Sequence, residues 1–140
     1  MPTSKILVDS SFLIALYDRA ADEREAVNEI ARLYSGQFLV PQVVLTEVVY
    51  ILKRETGVQG AIYFLDSFTR SKPDLQDVIV EDLIRVQEIM QQYADAKLDF
   101  VDCCIMALSE RLNITQVCTL DQRDFSMFRP RHRDYLEILP

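Results

Sequence analysis

Leu98-Asp99-Phe100-Val101-Asp102-Cys103-Cys104-Ile105-Met106-Ala107-Leu108 reads as the first turns of a buried helix, with two carboxylates where its apolar pattern begins. Asp99 suits the N-cap, where a short side chain accepts from backbone N–H groups two or three residues on. Asp102 then falls at N3, and Leu98 and Cys103 take the staple positions N′ and N4. The i, i+3 spacing puts both carboxylates on one side of the helix, at its positive end. Capping is a sufficient job for Asp99. Asp102 is different, because it lies beside the core face marked by Val101, Ile105, Leu108 and Leu112. A role for it beyond the helix end depends on whether other carboxylates converge there.

Working outward, short apolar runs alternate with helical patterns. Lys5-Ile6-Leu7-Val8, Phe38-Leu39-Val40, a run within Leu75 to Val80 placed at Val78-Ile79-Val80, Val117-Cys118-Thr119-Leu120 and Leu136-Glu137-Ile138-Leu139 are the expected strands, the last at an edge. Helices are expected from Phe12, over Ala21 to Tyr34 with Gly36 as stop, and from Pro41 to Thr56 with Gly57 as stop. Others follow over Ala61 to Phe68, Glu81 to Tyr93, and Asp99 to Leu112, where Asn113 closes the turn in the left-handed conformation. The inward faces read as Ala26, Val27, Ile30, Ala31 and Tyr34, then Ile62, Leu65 and Phe68, then Leu83, Ile84, Val86, Ile89, Met90 and Tyr93. This alternation predicts an α/β fold whose central, mainly parallel sheet of four to five short strands is flanked by helices. No repeat, low-complexity tract or linker divides residues 1–140, so one domain is expected.

Further acids stand at informative places. Asp9 follows the first strand and Asp121 the fourth, and ligands bind at such C-terminal strand ends in open α/β folds. Either Asp9 or Ser10 can cap the next helix, so the cap itself does not require an acid. Asp121-Gln122-Arg123-Asp124-Phe125 also suits a turn, in which Asp124 reads as a turn or cap residue. Glu47 falls inside the apolar stripe of Val43, Val44, Val48, Ile51 and Leu52. Desolvation strongly disfavours an unpaired carboxylate there. It must be protonated, paired with Lys or Arg, hydrogen-bonded, or bound to a cation.

Composition narrows the chemistry. Apolar residues make up 49 % and charged residues 26 %, ordinary for a globular chain. No apolar run approaches the roughly 20 residues of a membrane span. Met1-Pro2-Thr3-Ser4-Lys5 leads straight into Ile6 without the features of a signal peptide, so a cytoplasmic location is expected. The three Cys are expected as buried free thiols, and zinc lacks ligands because His132 is the only His. A net charge of −7 argues against broad polyanion binding and leaves room for a local basic strip. Clustered carboxylates repel one another unless positive charge is present. A hard divalent cation such as Mg²⁺ or Mn²⁺ resolves this, since it takes oxygen ligands, keeps waters and binds phosphate.

In order, Asp9-Ser10-Ser11, Thr46-Glu47, Val101-Asp102-Cys103 and Thr119-Leu120-Asp121-Gln122-Arg123-Asp124-Phe125 resemble the successive motifs of PIN-domain proteins. The likeness is strongest to the VapC toxins of bacterial toxin–antitoxin pairs. Tyr93-Ala94-Asp95, Leu108-Ser109-Glu110-Arg111-Leu112 and Arg129-Pro130-Arg131-His132 extend it, while residues 57–90 add little. The resemblance implies a single PIN domain over residues 1–140. It implies a Mg²⁺- or Mn²⁺-dependent endoribonuclease that cuts RNA of the translation machinery, with a cognate antitoxin and a homodimeric state. It maps the metal ligands onto Asp9 and Asp102, and the remaining site acids onto Glu47 and Asp121. Asp99 aligns with an often acidic position. Ser10 stands where the family usually has Thr and keeps the hydroxyl; Asn113 stands where Gly is common.

RNA contact is expected at Ser10 and at the basic cluster of Arg129, Arg131 and Arg133 beside His132, with Lys53 and Arg54 as a second basic pair. Phe12, Tyr17 and Phe64 are candidate partner-contacting residues. The alternative function is a PIN-like module that binds RNA or a partner without cutting. A metal-binding adhesion-type domain needs hydroxyls at Asp-x-Ser-x-Ser spacing, where Ser11 fits and Leu13 does not. A phosphoacceptor receiver domain needs an acidic pair after the first strand and a Lys near a later strand end; neither is present.

Overall fold

Ile6, Leu7 and Val8 carry no polar alternation, and all three are buried, as a parallel strand covered on both faces requires. They form β1 (Ile6–Val8) at the centre of the sheet in the computed structural model, which describes residues 4–18 and 22–140. The remaining strands are β2 (Phe38–Pro41), β3 (Asp74–Gln76), β4 (Gln116–Cys118) and β5 (Glu137–Leu139). All pairings are parallel, in the order β3-β2-β1-β4-β5. Helices α1 (Ser10–Tyr17), α2 (Arg24–Leu33), α3 (Val43–Arg70), α4 (Val80–Gln92), α5 (Phe100–Arg111) and α6 (Gln122–Met127) connect them. No helix among the described residues is long and apolar enough to cross a membrane.

The chain builds one side of the sheet from β1 to β3, then crosses to the other side for β4 and β5. The direction of growth reverses between β1 and β4, so the loops leaving these two strands part and open a crevice. Leu7 pairs with Val117, and the Asp9 N–H donates to the Cys118 carbonyl at 2.9 Å. The ends of β1 and β4 therefore meet. Helix α5 closes the core beneath them. Its residues from Asp102 to Ser109 are all buried, so it is a core helix rather than one with a single apolar face.

Several expected positions move. The third strand is Asp74–Gln76 rather than Val78-Ile79-Val80. Val40 pairs with Leu75, while the Asp82 carboxylate accepts the Ile79 N–H at 2.9 Å and starts α4 at Val80. Pro41 ends β2 instead of opening a helix. Helix α3 resumes directly past Gly57, whose φ of 81° and ψ of 176° kink it. That kink resets the helical phase, so Ala61, Phe64 and Phe68 face inward while Ile62 and Leu65 are exposed. Phe64 and Phe12 are thus core residues, not partner contacts. Tyr17 is half-buried, packing edge-on against Phe64 with its hydroxyl 3.1 Å from Ser67 Oγ. On α2, Val27 faces inward but Ala26 is exposed, and the expected helix start at Ala21 lies outside the described residues. On α4, Val86 and Ile89 are buried, whereas Leu83, Ile84 and Met90 are exposed.

Ion pairs set the rotation of α4. Arg111 grips Asp82 at 2.8 and 3.0 Å, and Arg85 grips Glu110 at 2.6 and 3.0 Å. The Asp82 side chain is only 1 % exposed. Arg111→Ala strands that charge and should cost about 3 kcal/mol of unfolding free energy, measured by urea denaturation.

Candidate active site

The Asp9 carboxylate is the most completely bound acid at the crevice. It caps α1, and its Oδ1 accepts from the Ser10 N–H at 2.7 Å and Ser10 Oγ at 3.3 Å. Its Oδ2 accepts from Thr119 Oγ1 at 2.7 Å and Ser11 Oγ at 3.1 Å. Thr119 Oγ1 in turn accepts the Asp121 N–H at 3.0 Å, and Ser11 Oγ accepts the Leu120 N–H at 2.9 Å. Two hydroxyls therefore tie the first acid to the loop that carries the fourth. Ser11 and Thr119 both stand within the sequence motifs, which by themselves assign neither this job. A hydroxyl beside an acid at each strand end was the available signal.

Asp102 has a different environment. It is 8 % exposed, and its side chain makes no hydrogen bond among the described residues. Burial, then the charges of Asp9, Asp121, Asp99 and Asp124, push its pKa up to about 8. Asp121 caps α6, accepting the Asp124 N–H at 3.1 Å, so it serves both as a turn residue and as a site acid. Carboxylate oxygens of Asp102, Asp121 and Asp124 all lie within 4.8 Å of one another. Asp124, read from sequence as a turn or cap residue, thus stands inside the acid cluster. Helix α6 starts at Gln122, and its first turn swings Asp124 back towards Asp121.

Glu47 is half-buried on α3, and no Lys or Arg pairs with it among the described residues. Burial raises its pKa, as does the charge of Asp99, while the Ser10 hydroxyl opposes the rise and Asp9 adds to it. Asp9 is likewise raised by burial, against the pull of its hydroxyl and N–H donors. Glu47 therefore neighbours Asp9 and Asp99, and Asp102 neighbours Asp9, Asp121, Asp99 and Asp124. Asp99 itself is exposed and caps α5, accepting the Val101 N–H at 2.7 Å. Ser10 is buried against these acids, so its hydroxyl serves them rather than an outward RNA contact.

A group of unneutralised carboxylates with only oxygen donors fits a hard divalent cation. Burial first, and then the Asp102 charge, push the Cys103 thiol up to about 12, which favours its neutral form.

The basic cluster is largely engaged. Arg131 pairs with Glu88 at 2.6 Å, and its N–H donates to Glu110 at 2.8 Å. The Arg129 guanidinium donates to the Ser126 and Phe128 carbonyls. Arg133 is exposed and has no ion-pair partner among the described residues.

The sheet carries acids at its switch point, and the sequence matches the PIN domain model over residues 6–129. The chain belongs to the PIN domain family. It is 24 % identical over 135 residues to ribonuclease VapC26 of Mycobacterium tuberculosis, spanning 96 % of this chain and all of that protein. The crystal structure of VapC20 of the same organism, a sarcin-ricin-loop-cleaving toxin, superposes with a TM-score of 0.82 at 17 % identity, covering 97 % of this chain and all of that one. DNA-bound VapBC from Salmonella typhimurium superposes with a TM-score of 0.71 at 15 % identity, covering 97 % of each chain.

A carboxyl raised above its unfolded pKa keeps its proton longer in the folded chain, so stability is greatest below the unfolded value. For Asp102 it falls as pH rises from 3.8 to about 8. In EDTA, the melting temperature should fall from pH 5 to pH 8. Asp102→Asn should flatten that slope without abolishing it, because Asp9, Glu47 and Asp124 are raised as well.

Proposed function

We propose that this chain is a metal-dependent endoribonuclease, the toxin of a toxin–antitoxin pair, acting on structured RNA of the translation machinery. The observation that carries this reading is the convergence of Asp102 and Asp121, with Asp9 tied to them through Thr119, at the switch point of the sheet. Asp9, Glu47, Asp102 and Asp121 are the proposed catalytic acids.

Asp9 and Asp102 would hold a Mg²⁺ or Mn²⁺ ion, with Asp121 completing its shell and Glu47 near Asp9. When bound, the ion supplies positive charge for a phosphate oxygen and lowers the pKa of a bound water. The chain's own groups do the rest. The four donors on Asp9 hold its carboxylate in one orientation and favour its ionised form. Glu47, raised by burial, is suited to hold or take the proton of the attacking water at a carboxylate oxygen. Water attacks phosphorus in line, the bond from phosphorus to the 3′ oxygen breaks, and that oxygen leaves with a proton. The products carry a 5′-phosphate and a 3′-hydroxyl.

A cognate antitoxin and a second copy of this chain are the proposed partners. Val58, Ile62, Tyr63 and Leu65 on α3, and Val80 and Ile84 on α4, expose apolar surface that such partners would cover. Arg133, with Arg129 and Arg131, is the proposed basic contact for RNA.

Cleavage of total bacterial RNA by purified protein tests the activity, with Mg²⁺, Mn²⁺ or EDTA and with Asp9→Asn/Asp102→Asn in parallel. Discrete fragments should appear only with the wild type and metal. Equal absence of cutting by both folded proteins, free of antitoxin, would favour the non-cutting binding module. Removing Arg133 should weaken RNA binding uniformly and reduce the salt slope by about one. Removing Arg131 should weaken RNA binding as well and change the melting temperature little, because its pair with Glu88 is solvent-exposed.

A further inference from the structure

Two aromatic side chains stand in water beside the crevice. Phe100 opens α5 directly after the cap Asp99, and of the seven phenylalanines it alone is exposed, at 46 %. Tyr50 on α3 is 65 % exposed. A single exposed apolar residue is ordinary on a protein surface. These two share a location. The charge of Asp99 reaches Glu47, Phe100 is the next residue after Asp99, and Tyr50 lies one helical turn past Glu47.

Glu47, Tyr50 and Arg54 follow the i, i+3, i+7 spacing that aligns side chains on one face of a helix. At about 1.5 Å of rise per residue, Tyr50 stands about 5 Å and Arg54 about 10 Å along the axis from Glu47. The Arg54 guanidinium lies over the Tyr50 ring, 5.9 Å from its centre and within cation–π reach. Arg54 also pairs with Glu55 at 2.9 Å, an exposed contact. Lys53, next along α3, and Lys97, before Asp99, are exposed and have no ion-pair partner among the described residues. The apolar surface proposed for protein partners lies elsewhere, on α4 and past the kink at Gly57. Isolated rings among cations, next to a centre built for a phosphate, suit a ligand with flat π faces on an anionic backbone. Single-stranded nucleic acid has that chemistry.

We propose that Tyr50, backed by Arg54, and Phe100 are base-stacking platforms that hold unpaired bases of the RNA next to the bond that is cut. Their use presupposes the ribonuclease reading and adds its selectivity. Phosphate contacts fix where a strand lies and carry no information about its bases. A ring takes a base only when that base is free of its own helix, so the platforms direct cutting to single-stranded loops, bulges and ends.

Binding of a single-stranded RNA oligonucleotide, followed by fluorescence anisotropy in Ca²⁺, tests this apart from cutting. Tyr50→Leu and Phe100→Leu should each weaken binding by about tenfold. Tyr50→Phe keeps the ring and should bind like wild type. An abasic oligonucleotide of the same length should bind all four proteins equally. The substituted side chains are exposed, so each variant should melt with the wild type. Wild type supplies a readout independent of any variant: 2-aminopurine moved along the strand should lose fluorescence on binding at one or two positions, where it stacks. Equal affinity of wild type and both leucine variants for the base-bearing strand overturns the platforms alone. A leucine variant that shifts the monomer–dimer equilibrium in sedimentation, with RNA affinity unchanged, assigns the ring to a protein interface and overturns them as well. RNA that binds and stacks in this way but is never cut in Mg²⁺ or Mn²⁺ overturns the ribonuclease reading and keeps the platforms. Failure of wild type to bind the strand overturns both.

Discussion

Asp102 keeps a carboxylate buried, without a hydrogen bond among the described residues, in the first turn of a helix whose residues from Cys103 to Ser109 are buried. With its pKa at about 8, ionising it costs on the order of 6 kcal/mol more than ionising an ordinary Asp. The positive end of α5 offsets that by about 0.3–1 kcal/mol, or about 2 at most. The dipole loses. Nor can the helix rotate the acid into water, because Cys103, Cys104, Ile105, Met106 and Leu108 are packed on every side. The acid is therefore held in an unfavourable place by the core itself. The remedy must come from outside the chain as a cation, or in its absence as a proton.

The loop that follows β4 answers the same constraint. Thr119 is fully buried and bonds Asp9 on one side and the Asp121 backbone on the other. Through it, a parallel sheet that brings two strand ends together also fixes the separation of their acids. Helix α6 then begins at once, and its first turn delivers Asp124. Neither helix nor strand alone would make this cluster. The reversal of the sheet between β1 and β4 opens the crevice, and α5 supplies the acid at its floor.

On the far side of α5, charge is used in the opposite way. Burial would raise Glu110, but the hydrogen bonds from Arg85 and the Arg131 N–H, with the charges of both arginines, outweigh it and hold its pKa below the usual carboxylate range. Arg111 and Asp82 form a second pair, and Arg131 pairs with Glu88 on α4. These pairs anchor the segment after α6 to α4 and α5. The basic residues that look like a free strip in the sequence are partly a structural strap.

Local chemistry made much of this readable from the sequence. Unbroken apolar runs marked β1 and β2 as buried parallel strands, Asp99 was readable as the cap of α5, and Asp9 and Asp121 stood at strand ends. Glu47 showed itself because a carboxylate in an apolar stripe breaks a pattern that desolvation enforces. What depended on the tertiary structure was phase and proximity. The kink at Gly57 turned Ile62 and Leu65 outward and Phe64 inward, a rotation that composition does not encode. Pairing with β2 placed the third strand at Asp74–Gln76, since edge-strand register is set by the neighbour. Asp124 looked like any turn residue until the fold brought the first turn of α6 against the buried end of α5. Sequence by itself determined which acids were present and which elements would carry them. The packing of α5 beneath the β1–β4 crevice decided which of them face one another, because carboxylate repulsion acts over a few ångströms of space and not along the chain.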